Sequence, residues 1–405
     1  MSFRYPSSIN KPGFNSLVEP PAPTVSYQGL YSWGSGSYGE LGLDNTTNYS
    51  SPVQVGALTT WASTSAGYGH SIAVKTNGTL WSWGRNDKGQ LGLSDITSRS
   101  SPVQVGTLTT WASTACGERF TVAIKTNGTL WSWGYNPYGE LGLGDITDRS
   151  SPVQVGALTN WLQAAGGQYH TVAVKTNGTL WSWGRNNYGQ CGREDGTNRS
   201  SPVQVGALTT WASTACGKDH TIAIKTDGTL WAWGLNGSGQ LGLGNTTDRF
   251  SPVQVGALTN WLQAAGGQDH TVAVKTDGTL WAWGYNGYGQ LGLGNTTNYS
   301  SPKQVGALTT WASTNSGYYI VGAIKTDGTL WAWGNGGDGQ LGLGNTTSYS
   351  SPKQVGALTN WYSISNGVNH SLSIKGALNP PEYTHYTGIW NISSQGNAKA
   401  ATTWP

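Results

Sequence analysis

Large apolar and small or polar residues alternate with period two over short stretches of this chain, and the stretches return every 50 residues. One is Thr171-Val172-Ala173-Val174-Lys175, and another is Thr179-Leu180-Trp181-Ser182-Trp183-Gly184. In an extended chain, successive side chains point to opposite faces, so both stretches are predicted strands. Between them lies Asn177-Gly178. Asn-Gly recurs at 77 and 127, and Asp-Gly stands at 227, 277 and 327. These dipeptides suit a two-residue hairpin loop, which needs positive φ. With that loop, Val174 is expected opposite Trp181 and Val172 opposite Trp183, all four on one face. Ala173, Leu180 and Ser182 would form a smaller face, against which the large face of a neighbouring unit packs.

The Leu-Trp-x-Trp-Gly core stands at 80, 130, 180, 230, 280 and 330, with an earlier copy at Leu30-Tyr31-Ser32-Trp33-Gly34. A fixed period of this size marks a repeat architecture. A further tryptophan recurs at 61, 111, 161, 211, 261, 311 and 361, so 20 of the 22 tryptophans are in register. Only Trp390 and Trp404 stand outside it. Each buried tryptophan removes about 150–250 Å² from water, worth about 4–6 kcal/mol before the entropy cost, so the set reads as core.

The two ends of the array decide between ring and open solenoid. The last Val-Ala-Val-like strand, Ser371-Leu372-Ser373-Ile374-Lys375, has no Trp-x-Trp strand after it, and the first Trp-x-Trp-like strand has no partner before it. Pairing the two completes the count, with Leu372 and Ile374 expected opposite Trp33 and Tyr31. Closure also removes the exposed sheet edges of an open array. The reading is an all-β, seven-bladed β-propeller of about 50-residue repeats, four strands to a blade, its closing blade shared between N- and C-terminal strands. Ser251-Pro252-Val253-Gln254 reads as the outer edge strand, where proline is tolerated, and Trp261 to Gly267 as the strand lining the centre. Residues 1–29 read as an N-terminal arm, 30–375 as the propeller, and 376–405 as a C-terminal arm.

Charged residues make up 10% of the chain and the formal net charge is +3. With no Lys/Arg cluster, nucleic-acid binding is not expected. No apolar run approaches the roughly 18 residues of a membrane span. The three cysteines make no disulfide framework, because Cys116 and Cys216 fall in one register two blades apart; they and Cys191 read as small core residues. His70, His170, His220, His270 and His370 share one register, with Phe120 and Ile320 in the other two copies. Equivalent atoms around such a ring stand too far apart for zinc, so a structural hydrogen bond is expected, with no metal and no cofactor. The one carboxylate pair, Glu194-Asp195, falls in a polar loop. No phosphate loop or nucleophile elbow appears, so no catalytic residue is assigned and the protein is read as a non-enzyme.

The pattern Gly-x-x-His-Thr-x-Ala-x-Lys-Thr-Asp-Gly-Thr-Leu-Trp-x-Trp-Gly-x-Asn-x-x-Gly-Gln-Leu-Gly, as at residues 217–242, resembles the regulator of chromosome condensation repeat. The resemblance covers roughly residues 30–375 and implies a seven-bladed propeller with a split closing blade. Family members include a nucleotide exchange factor for a small GTPase, a plant ultraviolet-B photoreceptor and secreted β-lactamase inhibitors. They share a rigid disc offering loops to a protein partner. The photoreceptor needs tryptophans just before the repeated histidine, where this chain has Gln168-Tyr169, Lys218-Asp219 and Gln268-Asp269. The exchange factor works through a protruding insertion, whereas the spacing here stays at 50.

The seven copies differ mainly at two loop positions. After Trp-Gly stand Arg85, Tyr135, Arg185 and Tyr285. Before the histidine position stand Tyr68, Glu118, Arg119, Tyr169, Lys218, Asp219, Asp269, Tyr318 and Tyr319. Tyr and Arg are favoured at interface hot spots, and loops on a rigid scaffold carry recognition, so these residues are the candidate partner-binding rim. The opening Met1-Ser2-Phe3-Arg4-Tyr5-Pro6 and the ending Gly388-Ile389-Trp390 with Trp404-Pro405 resemble terminal segments of tailed-phage virion proteins. That resemblance implies a virion component, a capsid decoration or tail adhesin. The propeller would bind protein or surface glycan, and Phe3, Tyr5, Phe14, Trp390 and Trp404 would anchor it to other virion proteins or to copies of itself. A host surface receptor is the further partner implied. The alternative is a soluble or secreted protein-interaction propeller, an inhibitor, adhesin or self-assembling surface protein, secreted or at the cell surface.

Overall fold

A computed structural model describes residues 29–57 and 60–376. Phe3, Tyr5, Phe14, Trp390 and Trp404 lie outside the described residues, as do the arms they belong to. The described chain forms 28 strands in seven four-stranded antiparallel sheets. Blade one is the closing sheet, Gly29–Gly34 and Tyr49–Gln54 with Trp361–Asn366 and His370–Lys375; blades two to seven follow as residues 61–104, 111–154, 161–204, 211–254, 261–304 and 311–354.

Blade four shows how the repeat builds a sheet. Trp161–Gly166 is innermost, His170–Lys175 and Leu180–Gly184 follow outward, and Arg199–Gln204 is the outer edge. The proline of the edge strand, Pro202, stands where a missing N–H costs no ladder bond. Closure is as expected: Gly29–Gly34 pairs with His370–Lys375, with Leu30 opposite Ile374 and Ser32 opposite Leu372.

The hairpin register differs by one residue from the sequence expectation. Val174 pairs with Leu180, Ala173 with Trp181, and Thr171 with Trp183. The closing blade shows the same offset, with Tyr31 opposite Ser373 and Trp33 opposite Ser371. The loop holds three residues, not two. Gly178 N donates to Lys175 O at 2.9 Å, and Lys175 N donates to Thr179 O at 3.0 Å. Gly178 has φ of 74°, while Asn177 stays at negative φ. This is a type I turn closed by a left-handed glycine, which needs only one residue at positive φ. Asn177 serves through its side chain, Oδ1 accepting from Thr179 N and Thr179 Oγ1. A slip of one residue exchanges the faces. The tryptophans therefore share their face with Thr171 and Ala173, and Val172, Val174 and Leu180 form the other.

Those faces join the blades. Phe120, Val122, Ile124 and Leu130 of blade three pack against Trp161, Ala173 and Trp183 of blade four. The aliphatic face of the closing blade, Leu30, Leu372 and Ile374, packs in the same way on Trp61, Ala73 and Trp83. Trp183 Nε1 donates to Glu140 O at 2.8 Å, and Thr171 Oγ1 donates to the same carbonyl at 2.8 Å. One blade thus supplies the acceptor for two buried donors of the next, and the donors are not left unpaired.

The buried histidines extend this stitching. His220 Nε2 lies 3.0 Å from Thr271 Oγ1 of the next blade, and Thr271 Oγ1 donates its proton to Gln240 O at 2.8 Å. With that proton spent, the imidazole must be the donor, which fixes the neutral Nε2–H tautomer. The same holds for His170 with Thr221 and, across the ring closure, for His370 with Ser71. Val321 lacks a hydroxyl, and His270 turns to Ser316 Oγ at 2.8 Å. The Gly-x-x-His spacing has a steric cause, since a Cβ on Gly217 would meet the His220 ring at 2.0 Å.

Candidate functional site

Strand direction sorts the loops into two faces. The innermost strand and the Trp-x-Trp strand both run toward the face that carries the loops at 67–69 and 85–98, with their equivalents. The hairpin turns and the connections between blades lie on the other face. There Leu108, Leu158, Leu208, Leu258, Leu308 and Leu358 are half-exposed in equivalent positions. Each hairpin lysine also stacks there on two aromatic rings; Lys175 Nζ is 3.5 Å from the Trp181 ring centre and 4.6 Å from Trp161. That face largely repeats itself; its copy-specific exposed aromatic is Tyr362, where the other copies have Ala or Leu.

The first face carries all thirteen candidate rim residues. They gather around the mouth of a central channel of about 670 Å³, walled largely by small residues such as Ala66, Ala165 and Ala215. Cys116 and Cys216 are half-buried in this wall and pack against the cores between blades, whereas Cys191 is fully buried, its thiol pushed up to about 12 by desolvation. The mouth narrows to a neck of about 100 Å³. Backbone bonds between blades hoop it: Tyr68 N to Glu118 O at 3.0 Å, Gln168 N to Lys218 O at 2.9 Å, and Gln268 N to Tyr318 O at 3.0 Å. Tyr318 reaches over this mouth from blade seven to blade three, its hydroxyl donating to Glu118 Oε2 at 2.9 Å. Burial first, and then the Glu118 carboxylate, hold the Tyr318 phenol well above its usual range.

Around the neck the variable residues meet at blade junctions. Between blades one and two, the Arg85 guanidinium lies 4.7 Å from the Tyr38 ring centre and 5.5 Å from that of Tyr68, and Arg85 Nη2 pairs with Asp87 at 2.7 Å. Between two and three, Arg119 approaches Asp87 and Glu118 at 3.7 and 4.0 Å, and Lys88 lies over Tyr135 at 4.7 Å. Between three and four, Tyr169 packs on Tyr138 at 5.1 Å with Arg185 beside both. Burial and the nearby Glu118 raise the Tyr169 phenol to about 12. Asp219 is buried, 3.7 Å from Arg185 Nη1, and accepts from Gln190 Nε2 at 3.3 Å. Burial raises its carboxyl despite Arg185 and Lys218, and Asp269 is raised by burial against the pull of Lys218. Between six and seven, Tyr285, Tyr288 and Tyr319 cluster.

Sequence reasoning missed the partners that complete these junctions: Tyr38, Asp87, Lys88, Tyr138, Tyr188 and Tyr288. They belong to the same variable tetrapeptide after Trp-Gly, and its third and fourth residues reach the rim as well as its first. The two carboxylates of the polar loop have separate partners, Glu194 accepting from Ser251 Oγ at 3.3 Å. Asp195 pairs with Arg193 at 3.3 Å and with Arg199. Among the described residues no three His, Cys, Asp or Glu side chains are grouped as a metal site. The described residues also include no helix long and apolar enough to cross a membrane.

The model of the RCC1-like domain matches residues 24–269, more than half of the sequence. The chain belongs to the RCC1-like family. Regulator of chromosome condensation (RCC1) repeats match 262–290, 277–324 and 327–374, so the family pattern runs through the remaining blades. No curated protein matches the sequence. Among solved structures, the RCC1-like propeller is similar to human WBSCR16 at 21% identity and TM-score 0.77, covering 86% of this chain and 98% of that one. It is similar to Prp20p of Saccharomyces cerevisiae at 22% and TM-score 0.78, covering 87% and 92%. Yeast RCC1 (Prp20) bound to Kap60 gives 20% and 0.77, covering 92% and 96%. At such identities the likeness concerns the fold. The Prp20p structure was reported with its binding to Gsp1p and histones, which places protein binding within this fold. The virion location implied by the terminal segments is corrected by these matches, whose proteins come from human and yeast. The bacteriophage and adhesin reading falls with it.

Proposed function

We propose that this RCC1-like propeller is a non-enzymatic recognition disc that holds one protein partner on the face around the channel mouth. One observation carries the reading. The two middle strands and the hairpin turns are nearly invariant among the copies, and most of the copy-specific Tyr, Arg, Lys and Asp side chains fall on that face, where they meet across blade junctions; Tyr362 on the far face and Lys303 and Lys353 on edge strands are exceptions. Side chains there are already ordered by one another, as with Arg85 on Tyr38 and Tyr318 on Glu118, so a partner meets a surface with little left to immobilise. One structural relative, Prp20p, binds Gsp1p, histones and Kap60. The same assignment here rests on rim chemistry and not on those names.

The test is a photo-crosslinking amino acid placed at Arg85, Tyr169 or Tyr285, and separately at Leu158 on the far face, in the cell of origin. The expected result is one discrete protein adduct from the rim positions and none from Leu158. Equal capture from both faces, or none from the rim, removes the reading.

A further inference from the structure

The rim holds three tyrosine clusters at equivalent junctions, and two of them contain a guanidinium from their own chain. Arg85 of blade two lies over Tyr38 of blade one. Arg185 of blade four lies 5.5 Å from the ring centre of Tyr138 of blade three, with Tyr169 and Tyr188 at 5.9 and 5.3 Å. Both arginines occupy the same register, fixed by the same backbone bond: Arg85 N to Gly69 O at 2.7 Å and Arg185 N to Tyr169 O at 2.8 Å.

The third cluster has the rings without the cation. Tyr288 of blade six and Tyr319 of blade seven stand at the positions of Tyr138 and Tyr169, their centroids 4.8 Å apart. Tyr285 adds a further ring, 6.1 Å from Tyr319 and 6.5 Å from Tyr288. The arginine register is filled by Asn335, whose N–H makes the equivalent bond to Tyr319 O at 2.9 Å. Its side chain turns to its own loop, Oδ1 accepting from Gly337 N at 2.9 Å. Among the described residues no Lys or Arg is recorded over these three rings. Tyr288 is 42% exposed, so the cluster is open to solvent. Asp269, half-buried between Lys218 and Tyr319, adds a carboxylate beside the rings.

We propose that Tyr285, Tyr288 and Tyr319 receive an arginine side chain of the protein partner, which takes the place that Arg85 and Arg185 fill at the two sister junctions. Tyrosine faces attract a cation through the ring quadrupole, and a guanidinium, planar and less strongly hydrated than an ammonium, can also stack flat on them. Tyr318 braces the site from behind, packing edge-on against Tyr319 at 6.2 Å while it bonds Glu118. The proposal rests on the reading of this face as a recognition surface and adds the chemistry of one contact.

The test uses full-length protein carrying 3-fluorotyrosine, followed by ¹⁹F NMR. Resonances are assigned with Tyr285→Phe, Tyr288→Phe and Tyr319→Phe. The probe is the peptide acetyl-Gly-Arg-Gly-amide, and the control is its citrulline counterpart, which keeps the shape and loses the charge. Saturable shifts of the three resonances are expected at millimolar peptide. The citrulline peptide should bind about fivefold more weakly. Asn335→Arg should fill the rings from within and abolish the shifts. The sister registers already accept arginine, so this variant keeps the fold, and the solvent-exposed Tyr288→Ala offers a second way to remove the site. Equal shifts with both peptides overturn the proposal, as do no shifts up to about 10 mM or undiminished binding to Asn335→Arg. Rim crosslinking tells the two readings apart. Adducts that persist while the peptide fails to bind leave the face assignment standing without this contact; loss of both removes the face as well.

Discussion

Replacing His220 with phenylalanine should change how stability depends on pH by one proton. Burial lowers the His220 imidazole to about 3, and it lowers His170, His270 and His370 to about 3 and His70 to about 4. An unfolded chain protonates each near 6.5. Below that pH the unfolded state binds more protons than the folded state, so stability falls with pH from about 6.5 down to the folded value. Each histidine contributes about 1.4 kcal/mol per pH unit in that window, or about 2 kcal/mol between pH 6.5 and 5. Five would remove about 10 kcal/mol, comparable with the whole stability of a typical domain. Glu140, raised to about 8 by burial, and the similarly raised Glu40, Asp219 and Asp269 act in the opposite sense. The slope of the unaltered chain is therefore a difference, and a single variant isolates one histidine. Phe120 already occupies this register, and the glycine three residues earlier leaves room for the ring. At pH 8 the variant loses the bond to Thr271, about 1 kcal/mol. By pH 5 the parent has lost about 2 kcal/mol through His220, and the order of stability reverses. Urea unfolding followed by tryptophan fluorescence at pH 8, 7, 6 and 5 gives both curves. Parallel curves would show that the folded imidazole takes up its proton as readily as the unfolded one, and would refute its being held neutral by burial.

Glu140→Gln should stabilise the protein by about 3 kcal/mol at pH 7, because the buried carboxyl must be protonated to fold; the gain should vanish below about pH 4.5 in the same titration. Glutamine already fills this register at Gln90, Gln190, Gln240, Gln290 and Gln340. Gly178→Ala should destabilise by more than about 2 kcal/mol, because a Cβ at φ of 74° would also meet Thr209 O at 2.1 Å. Gly206→Ala, at φ of 62° with nothing within 4 Å, should cost only about 1 kcal/mol, and thermal melts of the pair separate strain from collision. Tyr318→Phe should cost about 1 kcal/mol and speed hydrogen exchange of the neck amides, among them that of Glu118.

The period of 50, the seven copies and the split closing blade follow from residues visible in the sequence, because two unpaired strands at opposite ends have only each other. The hairpin register was not legible. Asn177-Gly178 suits both a two-residue and a three-residue loop, and the choice depends on whether Thr179 pairs with Thr176 or with Lys175. The aliphatic partners of the tryptophans were misplaced by one residue in consequence. The rim was readable as a set of variable positions, but which residues meet was not. Those contacts form between blades, joining residues from neighbouring copies, such as Tyr288 with Tyr319, or from distant ones, such as Glu118 with Tyr318. The virion reading came from terminal wording alone, outside the packed repeats, where no fold constrains the meaning of a resemblance.

The closing blade also sets an orientation. Gly29 and Lys375 stand opposite each other at the hairpin-turn end of their strands, so the chain enters and leaves the ring side by side, on the side turned away from the tyrosines. Whatever is attached upstream or downstream begins behind the disc. A bead, surface or fused cargo joined directly at Gly29 or Gly376 would leave the aromatic crown facing outward.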